Sequence, residues 1–172
     1  MTTSLYDLSV GCYLQTLGAV SGFLERGADH FRENNIDADE VAQTRLFPDM
    51  LPFAFQVYCV AHHSLGAIEG VQAGVFGPPQ GPFPNYAGLQ TLVTDASAKL
   101  RALNPSIVNA LSGKDVVFQM RDFKVPFTAE NFILSFSLPN FHFHATTAYD
   151  MLRMKGVPLG KRDYMGPMRL KA

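Results

Sequence analysis

Tyr6, Val10, Tyr13, Leu17, Val20 and Leu24 recur at spacings of four and three, the apolar seam of a helix packed against other helices. That seam constrains the chain more than any other feature, because a face this long and regular must be covered by partners of similar length. Thr3 or Ser4 is placed to cap its start. Gly27 reads as its stop, and Asp29 to Asn35 as a polar connection.

Asp37 to Val41 follows as a short helical turn, with Asp37 and Glu40 at the spacing of a capping box. After Phe47-Pro48-Asp49 a second long helix is expected from about Met50 to Val71, with Pro52 in its first turn. It is apolar on most sides, as expected for a central helix or one covered by a second subunit. Ala73 to Tyr86 carries four prolines and three glycines, which no helix or central strand survives, and reads as an ordered loop between helices. Its length hints at a functional or packing role. A third helix spans about Gly88 to Leu103, and Ser106 to Leu111 adds a short turn. Asp115 to Phe127, β-branched and aromatic on both sides of Arg121-Asp122, reads as a hairpin. Thr128 caps a fourth helix that runs to Lys155, kinked or split at Pro139 and stopped by Gly156. The expected fold class is all-α: a four-helix bundle with a small β-hairpin between helices 3 and 4, one domain over residues 1–172.

Bulk properties narrow the function. The net charge of −1 gives no electrostatic case for nucleic acid or an acidic membrane. The basic run from Lys155 to Lys171 is interrupted by Gly156, Pro158 and Gly160 and reads as a solvated tail. No stretch approaches the roughly 18 apolar residues of a membrane span, and Met1 to Val20 lacks the pattern of a secretion signal. Cys12 and Cys59 sit among apolar neighbours and read as buried free thiols, so a reducing cytoplasm is the expected location. His62, three residues from Cys59, lies within reach of it on a helix. P-loop, dinucleotide, GxSxG, CxxC and HExxH motifs are all missing.

The polar groups gather on two helices. On the fourth, Asn140, His144, Thr147 and Met151 share one face, whereas His142 points away from His144. On the second, Gln56 and His63 share a face, and His62 lies about a hundred degrees round, aligned with Tyr58. Opposed across a core, His144, His63, Gln56 and Asn140 could hold a divalent metal such as Zn or Ni, with Tyr58, His62, Thr147 and Met151 lining a ligand pocket. The same letters also describe a purely structural cluster of satisfied polar groups, since bundle metal sites usually use carboxylates or several imidazoles.

The helix order, the segment PNFHFHATTAYDMLRMKGVPLGKRDY and FPDMLPFAFQV near the second helix resemble the DinB-like superfamily of bacterial bundle proteins. More narrowly, they resemble its uncharacterised branch, a domain family of unknown function. The resemblance covers nearly the whole chain. It implies a metal site built from one His on the second helix and a His-xxx-His pair on the fourth. Metal-dependent members of the superfamily include low-molecular-weight thiol transferases. His144 matches the second His of that pair, while Asn140 stands at the first and Gln56 near the helix 2 ligand, with His63 one heptad along. The resemblance also implies a homodimer. Two functions follow as expectations: a small-ligand-binding or dimeric module with a degenerate metal site, or a metal-dependent transferase or hydrolase acting on a small molecule.

Overall fold

Ser4 opens the first helical turn. Its hydroxyl accepts the Asp7 N–H and its own N–H donates to the Asp7 carboxylate, a reciprocal cap over α1 (Leu5–Leu8). The computed structural model describes residues 3–170. After α1 it continues into α2 (Val10–Glu33) without the stop expected at Gly27. Gly27 is instead a packing position: a Cβ there would overlap the hydroxyl of buried Tyr86, which donates to the Leu24 carbonyl at 2.9 Å. The turn comes later, where Asn35 takes the left-handed conformation (φ 55°).

In α3 (Ala38–Ala42) the Asp37 carboxylate accepts from the Asp39 N–H at 2.8 Å, so the cap is local and the expected box with Glu40 does not form. The expected continuous second helix is two, α4 (Phe53–His62) and α5 (Leu65–Ala73). Ser64 marks the break. Its hydroxyl donates back to the Val60 carbonyl at 2.7 Å, and its backbone leaves helical geometry (φ −113°, ψ −83°). Hydroxyl back-bonding of this kind bends helices.

The proline-rich segment holds no central strand, as expected, but it opens on a two-residue edge strand. Gly74 turns through φ 77° and β1 (Val75–Phe76) pairs in parallel with β2 (Asp115–Met120). β2 in turn pairs antiparallel with β3 (Phe123–Thr128), from Asp115 opposite Thr128 to Met120 opposite Phe123. The expected hairpin strands therefore belong to a three-stranded sheet. Between β1 and β2 lie α6 (Tyr86–Arg101), capped by the Asn85 side chain on the Gly88 N–H, and the short α7 (Pro105–Asn109).

Thr128 caps α8 (Ala129–Asn131) as expected. The helix then widens into a π-helical segment over Phe132–Ser137 before α9 (Leu138–Met154), where Pro139 occupies the first turn. Proline has no N–H to give, and the widened turn lets the chain stay helical past it. The molecule is mostly helical with a small sheet. α2 packs against α6 and α9, and α4 packs against the same two helices. Tyr13, Phe23, Phe53, Phe132 and Phe141 are fully buried between them.

The tail is more ordered than its composition suggests. α10 (Lys161–Met165) lies on α2, held by Gln15 on the Met165 carbonyl, by Arg26–Asp163 at 2.9 Å and by Tyr164 against Tyr149. Arg153 also donates to the Leu159 carbonyl, so Tyr149 and Arg153 fix the helix end against the tail. Lys171, the end of the basic run, lies outside the described residues. Among those residues no helix is long and apolar enough to cross a membrane.

Candidate functional site

The two irregular points of the fold face each other. The Ser137 hydroxyl, at the end of the π segment, donates to the His63 carbonyl at 2.6 Å, beside the α4–α5 break. Because that proton is committed, the Tyr13 hydroxyl must be the donor in its 2.7 Å contact with Ser137. Burial raises the Tyr13 pKa, which keeps the phenol protonated for that role. π segments recur at functional sites. Here the segment clamps the backbone of a histidine through a chain of three buried groups. Ser137→Ala leaves the Tyr13 hydroxyl and the His63 carbonyl unpartnered, and should cost about 2 kcal/mol. A shift in the urea unfolding midpoint measures that loss, and an unshifted midpoint would refute the clamp.

Three imidazoles form a row. His62 and His63 have ring centroids 5.3 Å apart, and His63 and His144 are 5.8 Å apart with planes inclined by 18°. Phe76 and Phe136 flank His63, while Phe55 lies edge-on to His144. The tautomers follow from the partners. Gln56 donates its amide to the Leu51 carbonyl at 3.0 Å, which turns Oε1 toward His144; the 2.8 Å contact to His144 Nδ1 therefore has the imidazole donating. His144 Nε2 is left with a lone pair. His62 donates Nε2–H to the Gly77 carbonyl at 2.8 Å, leaving its lone pair on Nδ1. His63 Nδ1 is buried with no hydrogen-bond partner.

Electrostatics keep the row neutral. Burial, and then repulsion from His62 and His144, pushes the His63 pKa down to about 3. Burial, helped by His62, brings His144 down to about 4. His62 is lowered by burial, partly offset by its bond to Gly77.

Each residue proposed from sequence has a definite place. His144, His63 and Gln56 meet in the core as the helix faces required. Asn140 does not join them, because its amide turns back onto the Phe136 carbonyl at 2.7 Å. Thr147 likewise donates to its own helix, at the Phe143 carbonyl, and Met151 is buried in the core. Tyr58 and His62 line a cavity of about 230 Å³ between α4–α5 and α6, away from Thr147 and Met151. Glu69, Asp95 and Lys99 complete its charged rim, and none of these was singled out in the sequence. The signals were present, in the one-turn spacing of Asp95 and Lys99 and in Gly66 within a helix, but a surface helix shows such patterns without any site.

The cysteines play no part in the row. Cys59 is buried, its thiol pushed up to about 12 by burial, and Cys12 is only half-buried, contrary to expectation. Among the described residues, no group of three or more His, Cys, Asp or Glu side chains gathers closely enough to hold a metal ion. The core offers two imidazoles, His144 with a free Nε2 and His63 with an unpartnered Nδ1. That is one donor short of the usual three-ligand protein site.

The family model for a domain of unknown function, DUF1993, matches residues 5–165. The chain belongs to that family. The fold of this DUF1993 member is also similar to that of a DinB family member protein from Shewanella denitrificans. The TM-score is 0.82 at 24% identity, over 98% of this chain and 95% of that one. The DinB-like resemblance, on its branch of unknown function, is thus borne out. No curated protein matches the DUF1993 chain.

Proposed function

We propose that this chain, a single DinB-like four-helix bundle, is a cytoplasmic, dimeric small-ligand-binding module in which the metal site of its superfamily is degenerate. The observation that carries the reading is the commitment of the two amides. Gln56 is spent between the Leu51 carbonyl and His144, and Asn140 on the Phe136 carbonyl. Gln56 has both ends of its amide engaged and Asn140 is tethered to its own helix, away from the pair of imidazoles, so neither stands in for a missing imidazole. Ligand binding is assigned instead to the cleft lined by Tyr58 and His62, where unpaired polar groups surround an open volume. Dimerisation would cover exposed apolar side chains such as Phe143, Leu51 and Phe47.

A second reading, a metal-dependent enzyme acting on a small molecule, is favoured by one observation. An imidazole that donates Nδ1–H to an amide oxygen and keeps Nε2 bare is oriented as metal-bound histidines are. Metal content and thermal stability of protein purified without a His tag separate the two. The degenerate reading expects no stoichiometric Zn, Ni or Fe and no rise in Tm on adding them. Stoichiometric metal that is lost in His144→Ala would overturn it, because a ligand bound to the folded state must raise stability.

A further inference from the structure

The cleft between α4–α5 and α6 carries more chemistry than a ligand pocket of unspecified kind. Phe53 stacks on Tyr86 at the starts of α4 and α6, and residues further along the chain from each, His62 to Glu69 and Leu92 to Lys99, share one cavity, so the two helices run in the same direction from a common level. Nine residues along each helix, about 13 Å from that stack at 1.5 Å per residue, His62 and Asp95 reach the same height. Lys99 follows one turn beyond Asp95, and Glu69 stands on α5, past the break at Ser64. All four line the cavity over an apolar floor that includes Leu65 and Leu92.

Two facts make these groups available. Among the described residues the ion pairs are Arg26–Asp163 and Arg32–Asp29, so Glu69, Asp95 and Lys99 have no charged partner. The His62 proton is committed to the Gly77 carbonyl, which leaves Nδ1 an acceptor. Gly66 keeps that nitrogen uncovered, because a Cβ at this position would stand 3.5 Å from it. One end of the cleft thus presents acceptors to a cation, and the next turn presents an ammonium to an anion. With two carboxylates against one ammonium, a ligand that is only an anion is repelled.

We propose that this cleft binds a small aliphatic amino acid as the zwitterion, its ammonium between Asp95 and His62 Nδ1, its carboxylate on Lys99 and its side chain on the Leu65–Leu92 floor. The assignment rests on the small-ligand reading above and gives it a chemical class. Asp95 and Lys99 set the spacing of the ligand's charges, and the His62–Gly77 bond fixes the acceptor.

Titration of the full-length ¹⁵N-labelled protein with L-leucine, isoamylamine, 4-methylpentanoate and 4-methylpentan-1-ol tests it. Leucine should move the Gly66 and Asp95 amide signals, with an affinity at least about tenfold above the other three, since each charge-assisted hydrogen bond is worth that much or more. Gly66→Ala should weaken leucine about tenfold by covering Nδ1. This variant keeps the fold, because its Cβ meets only ordinary van der Waals contacts. Lys99→Met should bring leucine down to the level of isoamylamine. Isoamylamine matching leucine in the wild-type protein would overturn the zwitterion assignment. So would an equally tight alcohol, although the cleft would then stand as a ligand site. If no probe moves the cleft amides, both the assignment and the small-ligand reading fall.

Discussion

Taking the protein from pH 7 to pH 5 is expected to remove about 4 kcal/mol of folding stability, about 2 from each of two histidines. The folded chain holds His63 near 3 and His144 near 4, whereas both return to about 6.5 on unfolding. Below 6.5 the unfolded state therefore binds protons that the folded state refuses. A histidine whose folded pKa is depressed contributes its stability fully above the unfolded value, and loses it as the pH falls. The loss approaches about 1.4 kcal/mol per pH unit for each group, and levels off beneath the folded values. His62 and His142, also lowered by burial, act in the same direction. Urea denaturation at pH 7, 6 and 5 measures the slope, in a window above the titration of ordinary carboxylates. In His63→Leu about half of it should vanish. Wild-type stability that stays level from pH 7 to 5 would show that the row is not held neutral.

Gly27→Ala should destabilise the fold by about 2 kcal/mol or more, although alanine is the better helix former by roughly 1 kcal/mol. The new methyl would overlap the Tyr86 hydroxyl, and that ring cannot swing aside. It is stacked on Phe53, lies edge-on to Phe31 and is 2% exposed. For a chain of this size the change corresponds to a fall in Tm of roughly 5 °C or more. Tyr86→Phe supplies the control. Alone it removes the hydrogen bond to Leu24, at a cost of about 1 kcal/mol. In combination it makes room for the methyl, so the second substitution should cost far less than in the wild type. Strictly additive costs in that cycle would disprove the contact.

What the sequence disclosed and what it hid have separate physical reasons. The seam from Val10 to Leu24, the Thr128 cap and the strands around Arg121-Asp122 were legible because local spacing determines them, whereas the break at Ser9 that sets Tyr6 apart in α1 was not. The opposition of His144, His63 and Gln56 was legible because seven- and four-residue spacings fix helix faces. The break at Ser64 was not, since serine inside an apolar run is neutral to a periodicity reading until its hydroxyl chooses the Val60 carbonyl. Gly27 carried the letter of a helix stop but the function of a contact, which only the distant Tyr86 reveals. β1 was hidden in the same way: two residues amid prolines become a strand because β2 arrives from beyond α6 and α7 to pair with them. At the site, helix phase placed Asn140 beside His144, but the amide is drawn back by the Phe136 carbonyl within the π segment.

That widened segment also sets the phase of everything after it. Each residue advances an α-helix by about 100°, and a π turn houses one residue more than an α turn within the same run of helix. Wound as a regular α turn, the same residues Phe132–Ser137 would lengthen α8–α9 hardly at all. That winding would nevertheless rotate the whole of α9 by about a quarter turn relative to its neighbours. His144 would swing away from Gln56, while Phe143 came round in its place. In this fold the length of one irregular turn works as an angular setting, and it decides which letters of FHFHATT face the core.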